Sequence, residues 1–182
     1  TDDELQHTRP QLVYQDEQAY MVWLVGQTLA LQALDTLALS ASSLDLAIDT
    51  GQTILLDSDL QVDEFKVIPD SNGNLYAVMS AQKEQQRDLY LAYYRADLGL
   101  WGQPQSLTGD PDNQSYPAAV LDSNQGLLLA FSQTEILTQT MTTTLPETGE
   151  VVTYTAKLDG QSDLMTLRHS LRNDLVMENL AV

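Results

Sequence analysis

Short runs in which apolar and polar side chains alternate recur along the chain, each closed by a cluster of Asp, Asn, Ser or Gly. The clearest are "NLYAVMSA" (74–81) and "DLYLAYYRA" (88–96). Leu75, Ala77 and Met79 in the first, and Leu89, Leu91 and Tyr93 in the second, fall on one face. A period of two marks a strand, because successive side chains of an extended chain point to opposite sides. The pattern around them predicts strands at 64–69, 74–81, 88–95 and 103–108. Asn72-Gly73, Gln125-Gly126 and Thr148-Gly149 supply residues that tolerate a left-handed turn. "TLALQALDTLALSA" (28–41) is ambiguous, since Ala and Leu are strong helix formers. Its place in a repeat argues for strands.

The repeat is visible in two near-identical corners, "PDSNGNLYAV" (69–78) and "LDSNQGLLLAF" (121–131). Aligning Asp70-Ser71-Asn72 with Asp122-Ser123-Asn124 brings "EFKVIPD" over "YPAAVLD" and leaves Gln125 as an insertion before a shared Gly. "RPQLVYQDEQAYMVWLV" (9–25) is a weaker third copy, with Pro10 over Pro117. Downstream, "RDLYLAYYRADLGLWGQPQSL" (87–107) lies over "DTLALSASSLDLAIDTGQTIL" (35–55) at a constant shift of 52. "SDLMTLRHSLRNDLVMENL" (162–180) is a diverged version, with Leu164 over Leu89. The expectation is one domain of three units of about fifty residues, at approximately 9–62, 63–113 and 114–180, each reading as four short strands. In the third unit, 22 more residues separate Phe131 from Leu164 than separate Val78 from Leu89. "EILTQTMTTTLPETGEVVTYTAKL" is Thr-rich and β-branched on both sides of a Pro/Gly turn, and predicts an elongated hairpin over about 134–160.

A four-strand unit repeated at this period is the sequence sign of propeller blades, so the fold expected is all-β and β-propeller-like. Propellers close with about four to eight blades. Three units therefore imply a fragment of a longer propeller, a ring completed by other copies in a homo-oligomer, or an open array.

Within the second unit, Asp97, Gly99 and Trp101, followed by "PQSLTGDPDNQSYPAAVLDSNQG", resemble blades of bacterial exported propellers of the sialidase or Asp-box type. Trp101 stands one residue earlier than that pattern, and Arg95 replaces its usual Ser. The first unit keeps Ser43 and Asp45 but loses the Gly and Trp. The closing "NDLVMENLAV" resembles the lead into an adhesion-type, immunoglobulin-like module of large bacterial surface proteins. The resemblance implies architecture and a cell-surface or exported setting. A sialidase needs an arginine triad, a tyrosine nucleophile and an acid; their positions do not map onto this chain, and no catalytic residue is assigned.

Charge narrows the partners. With 26 acidic against 8 basic residues the net charge is -18. A phosphate backbone is bound by clustered Lys and Arg, which are not present, so nucleic acid is not an expected partner. No run reaches the ~18 apolar residues of a membrane span, so membrane insertion is not expected either. The absence of Cys excludes disulfides, thiolate metal sites and cysteine nucleophiles. The start "TDDELQHTRP" reads as a mature or trimmed terminus, or as part of a longer chain.

Three constellations carry candidate chemistry. Asp70, Asn72 and Asn74 alternate as calcium ligands do at the start of a helical loop, and Asp110 and Asp112 make a second oxygen-rich stretch. No Glu closes the first loop, and Asp and Asn also bond their own backbone in turns, so turn chemistry competes with calcium there. His7 and His169 are isolated from further metal-type ligands. Tyr90, Tyr94 and Trp101 beside Arg95 form an aromatic group suited to stacking on a sugar or contacting protein, or to packing between blades. The expected function is a non-catalytic binding or structural module contacting protein or glycan. The alternative is part of a sialidase-like glycoside hydrolase whose catalytic residues lie outside this chain.

Overall fold

A computed structural model describes residues 7–15, 18–26, 28–34, 53–54, 59–123 and 126–171. Ser43, Asp45, most of the stretch at 35–55 and the closing "NDLVMENLAV" lie outside the described residues. Within them every regular element is a β-strand, paired antiparallel with its neighbours.

Three sheets follow one another in chain order. The first joins β1 (His7–Gln15), β2 (Gln18–Val25), β3 (Thr28–Leu34) and β4 (Thr53–Ile54). Thr28–Leu34, the described part of the helix-or-strand stretch, is thus a strand; β3 pairs along its whole length with β2, and that pairing outweighs the helix preference of its Leu and Ala. The second sheet joins β5 (Leu60–Pro69), β6 (Leu75–Lys83), β7 (Gln86–Arg95) and β8 (Leu100–Trp101), with β9 (Gln105–Ser106) also on β7. The strand anticipated at 103–108 is divided because Pro104 has no N–H to donate. Gly102 N–H and Leu107 N–H bond the carbonyls of Tyr93 and Leu89 on either side of it, both at 2.7 Å. The third sheet joins β10 (Asn113–Leu121), β11 (Gly126–Thr144) and β12 (Val151–Ser170).

The second sheet is covered on both sides. Phe65, Val67, Leu75, Ala77, Met79, Ala92 and Tyr94 pack against Val13, Val22, Leu24, Leu29 and Leu31 of the first sheet. On its other face Ile68, Val78, Leu89 and Leu91 pack against Leu127, Leu129, Phe131 and Leu171. Leu75 and Leu89, expected on one face, therefore point to opposite neighbours. The register explains it: Leu75 pairs with Tyr94 while Leu89 pairs with Ser80. A strand buried on both sides reads as nearly continuous apolar sequence, which is how "LYAVMSA" and "LYLAYY" read. Each fully buried Leu here contributes roughly 1.5–3 kcal/mol.

The corners also differ from the alignment. Asp70 N–H bonds Asn74 O at 2.9 Å, and Asp122 N–H bonds Gly126 O at 2.8 Å. Both loops therefore close over the same number of residues: Gly126 takes the place of Asn74, and Gln125 is not an insertion. Gly73 is left-handed at φ 84°, whereas Gly126 is not among the left-handed glycines. Its requirement is space, since a Cβ would stand 2.8 Å from Asp122 Oδ2.

Beyond the bulge between Thr134 and Ile136, β11 and β12 continue as a two-stranded ribbon from the Ile136–Asp159 pair to the Thr144–Val151 pair. The lengthened hairpin predicted over 134–160 is this arm.

Candidate functional site

Each sheet opens on a strand with a break in its register. In β1 the break spans Arg9 and Pro10, in β5 it falls at Asp63, and in β10 it spans Tyr116 and Pro117. An extra residue cannot pair in an antiparallel ladder, so the strand bends and re-aims its side chains. Arg9 and Tyr116 sit in the left-handed region at φ 57° and 55°. A residue before proline is normally driven to extended backbone, and a non-glycine held left-handed costs on the order of 1–3 kcal/mol. That the same strain occurs in two sheets at equivalent Xaa-Pro steps marks a built feature.

The three irregular strands converge. Arg9, Asp63, Glu64, Ser115 and Tyr116, with Ser80 and Arg87 from β6 and β7, line an open cavity of about 210 Å³. Glu64 ties the sheets together: one carboxylate oxygen accepts Tyr116 N–H at 2.9 Å, and the other lies 3.6 Å from the Arg9 guanidinium. Arg87 holds Asp63 through Nε at 2.8 Å and Nη2 at 2.7 Å. Gln11 reaches from β1 to β5, accepting Val67 N–H at 3.2 Å and donating to the Phe65 carbonyl. Ser80, fully buried, donates to the Gln114 carbonyl at 2.9 Å. Two guanidinium groups and two carboxylates leave the cavity lining balanced in charge, within a chain of net charge -18. Hydrogen-bond donors and acceptors stand side by side around it, and Tyr116, 71% exposed, is part of the lining.

The residues singled out from sequence are distributed differently. Tyr90, Tyr94 and Trp101 lie on the face of the second sheet that packs against the first; Tyr94 is 8% exposed and its ring centroid is 5.2 Å from that of Trp101. Tyr94 belongs to that core, and Tyr90 and Trp101 are partly buried against it. Arg95 faces away from them and pairs with Asp97 (2.6 Å), whose carboxyl that hydrogen bond holds below its ordinary value. Tyr93 stacks on Tyr76 at 4.7 Å, and burial raises both hydroxyls above their usual range.

Asp70 accepts the backbone N–H of Asn72 (2.7 Å) and Asn74 (3.0 Å) and the Asn74 side chain (2.9 Å). Its oxygens are thus used in shaping the turn. Asp110 accepts Asp112 N–H (3.1 Å) and the buried Gln114 amide (2.5 Å). Asp112 accepts the Gln133 amide (2.8 Å) and Ile136 N–H (3.2 Å). Beside this loop, burial raises the carboxyl of Asp88 despite the hydroxyl of Thr108. Among the described residues no group of three or more His, Asp or Glu converges as a metal site.

Periodicity could not reveal the cavity, because its residues come from five separate strands. The available signal was the repeated Xaa-Pro step, Arg9-Pro10 and Tyr116-Pro117. No protein-family model, curated protein or solved structure matches the chain.

Proposed function

We propose that this chain is a non-catalytic glycan-binding module of a bacterial exported or cell-surface protein, with the cavity at Arg9, Glu64 and Arg87 as its ligand site. The observation carrying the reading is the pair of strained residues, Arg9 and Tyr116, held beside paired charges where three strands bulge together. Strain of this kind persists where the surroundings fix it, and it gathers at binding sites. A neutral sugar ring suits the balanced lining, because its hydroxyl groups both donate and accept. The exposed Tyr116 ring offers an apolar face for the sugar. At about 210 Å³ the space is smaller than that of a drug-sized ligand, about 300–1,000 Å³, and fits a single sugar residue at the end of a glycan.

The architecture proposed around this site is a propeller, of which these sheets are three blades. Its support lies in a register equivalence. Ser80 pairs with Leu89, and Ser132, 52 residues on, pairs with Leu164. Leu89 is fully buried under the third sheet, whereas Leu164 is 80% exposed. Ile68, 9% exposed, and Val120, 55% exposed, repeat the contrast. The outer face of the third sheet thus carries the side chains that a further blade covers, from the same polypeptide or from another copy.

Glycan-array screening followed by calorimetry on the full chain tests the site. Arg9→Gly removes the guanidinium and relieves the left-handed strain together. The expected result is at least a tenfold loss of glycan affinity, the scale of a charge-assisted hydrogen bond, with no fall in thermal stability. Affinity unchanged in both Arg9→Gly and Glu64→Gln would sink the assignment. Turnover of a fluorogenic glycoside panel would replace it with the hydrolase alternative.

A further inference from the structure

The ribbon beyond Ile136 is amphipathic in a way the rest of the molecule does not explain. Leu137 pairs with Leu158, Gln139 with Ala156, Met141 with Tyr154 and Thr143 with Val152, and directly paired residues share a face. The opposite face carries Thr138, Thr140, Thr142 and their partners Lys157, Thr155 and Thr153. Leu137, Met141, Tyr154 and Leu158 are each 39–46% exposed. A two-stranded ribbon with one side open is at best marginal in water, and an uncovered apolar face needs a partner.

We propose that the arm is a self-association device: two copies pack these apolar faces together about a two-fold axis. Charge selects the occupant. The chain carries -18 overall, yet no charged side chain occurs from 136 to 146 or from 151 to 156. Elsewhere a second copy meets like charge, while along this face, from Leu137 to Thr143 and Val152 to Leu158, it meets none. A basic partner, conversely, finds no acid on this face to pair with. The face is also self-complementary. Bulky pairs, Leu137–Leu158 and Met141–Tyr154, alternate with the smaller Gln139–Ala156 and Thr143–Val152 pairs, so an antiparallel copy sets its ridges into the gaps. Interhelical or metal chemistry is not needed; the contact is one sheet face on another. Remaining repulsion between the acidic bodies makes the dimer stronger as salt screens it.

Sedimentation velocity on the full chain reads the mass directly. The expected change is from 20.2 kDa to twice that value as protein concentration rises, with the midpoint moving to lower concentration in high salt. Tyr154→Lys should abolish the dimer and Thr155→Lys, on the other face, should leave it. Because Tyr154→Lys could unfold the ribbon, a second test uses the lack of native cysteine. Ala156→Cys, near the middle of the apolar face, should be joined between two copies by a short bifunctional thiol reagent, since a ridge of the second copy and not its Cys lies directly opposite; Thr155→Cys should not. A wild-type chain that stays monomeric at high salt overturns the proposal, as does equal cross-linking from the two faces. So does a dimer lost with Leu164→Lys but kept with Tyr154→Lys, which would move the contact to the outer face of the third sheet. The proposal is independent of the glycan site, and Arg9→Gly should dimerise like the wild type.

Discussion

Leu89 and Leu164 hold the same place in two sheets and differ only in what lies over them. Truncating Leu89 leaves a cavity between the second and third sheets, so Leu89→Ala is expected to cost about 2–5 kcal/mol in urea unfolding. Leu164→Ala removes an exposed side chain and should stay within about 0.5 kcal/mol of wild type at low protein concentration. Equal costs would mean that the outer face is already covered. His169 offers a test at the same scale. Its Nε2 is buried without a partner among the described residues, and burial holds its pKa below the ordinary 6.5. The unfolded chain therefore takes up a proton before the folded one does. Stability should fall as pH drops through about 6.5 toward the folded value, and then level off. His169→Gln should flatten that part of the profile of unfolding midpoint against pH, while an unchanged slope would remove His169 as its source.

At the scale of elements, the sequence made the middle sheet the most legible. Its strands are apolar runs bounded by turn residues, and β6 and β7 lie within a residue or two of the predicted 74–81 and 88–95. What alternation could not say was which neighbour each face meets. Both faces of "LYLAYY" are apolar, and only the stacking order assigns Leu89 to the third sheet and Tyr90 to the first. The corner at 122 shows a related limit. A shared Gly invited alignment by residue type, but the Asp122 N–H bond to Gly126 O sets loop length and shifts the Gly to the Asn74 position. The arm was legible as a hairpin because its turn chemistry is local. Its turn gives a prediction: Gly149 is left-handed at φ 70° with open space around it. Gly149→Ala should therefore cost about 1 kcal/mol through backbone strain alone. Hydrogen exchange should quicken across 136–158 and stay unchanged in β6 and β7; acceleration in both would mean that arm and body unfold together.

For the whole molecule, the dominant electrostatic fact is the net charge of -18. Self-repulsion at that charge opposes the compact state, so the melting temperature should rise with NaCl, measured at micromolar protein to keep association out of the reading. Calcium separates general screening from a site. With Asp70, Asp110 and Asp112 occupied by N–H groups, CaCl2 and NaCl at matched ionic strength should give the same midpoint. A higher midpoint in calcium would restore the turn loops as ligands.

The sequence by itself determined that the chain is built of short strands, that its corners turn on Asp and Asn, and that one hairpin is overlong. These are local properties, decided by side-chain period and by the backbone each residue tolerates. Tertiary structure alone decided the rest: which face of each strand is covered, why Tyr90, Tyr94 and Trp101 pack toward the first sheet, and where Arg9, Glu64, Arg87 and Tyr116 meet. Those residues are separated by up to a hundred positions or so, and their meeting depends on three sheets stacking with their bulges aligned. No pattern within one strand encodes that geometry, because the force that sets it is the burial of one sheet against the next.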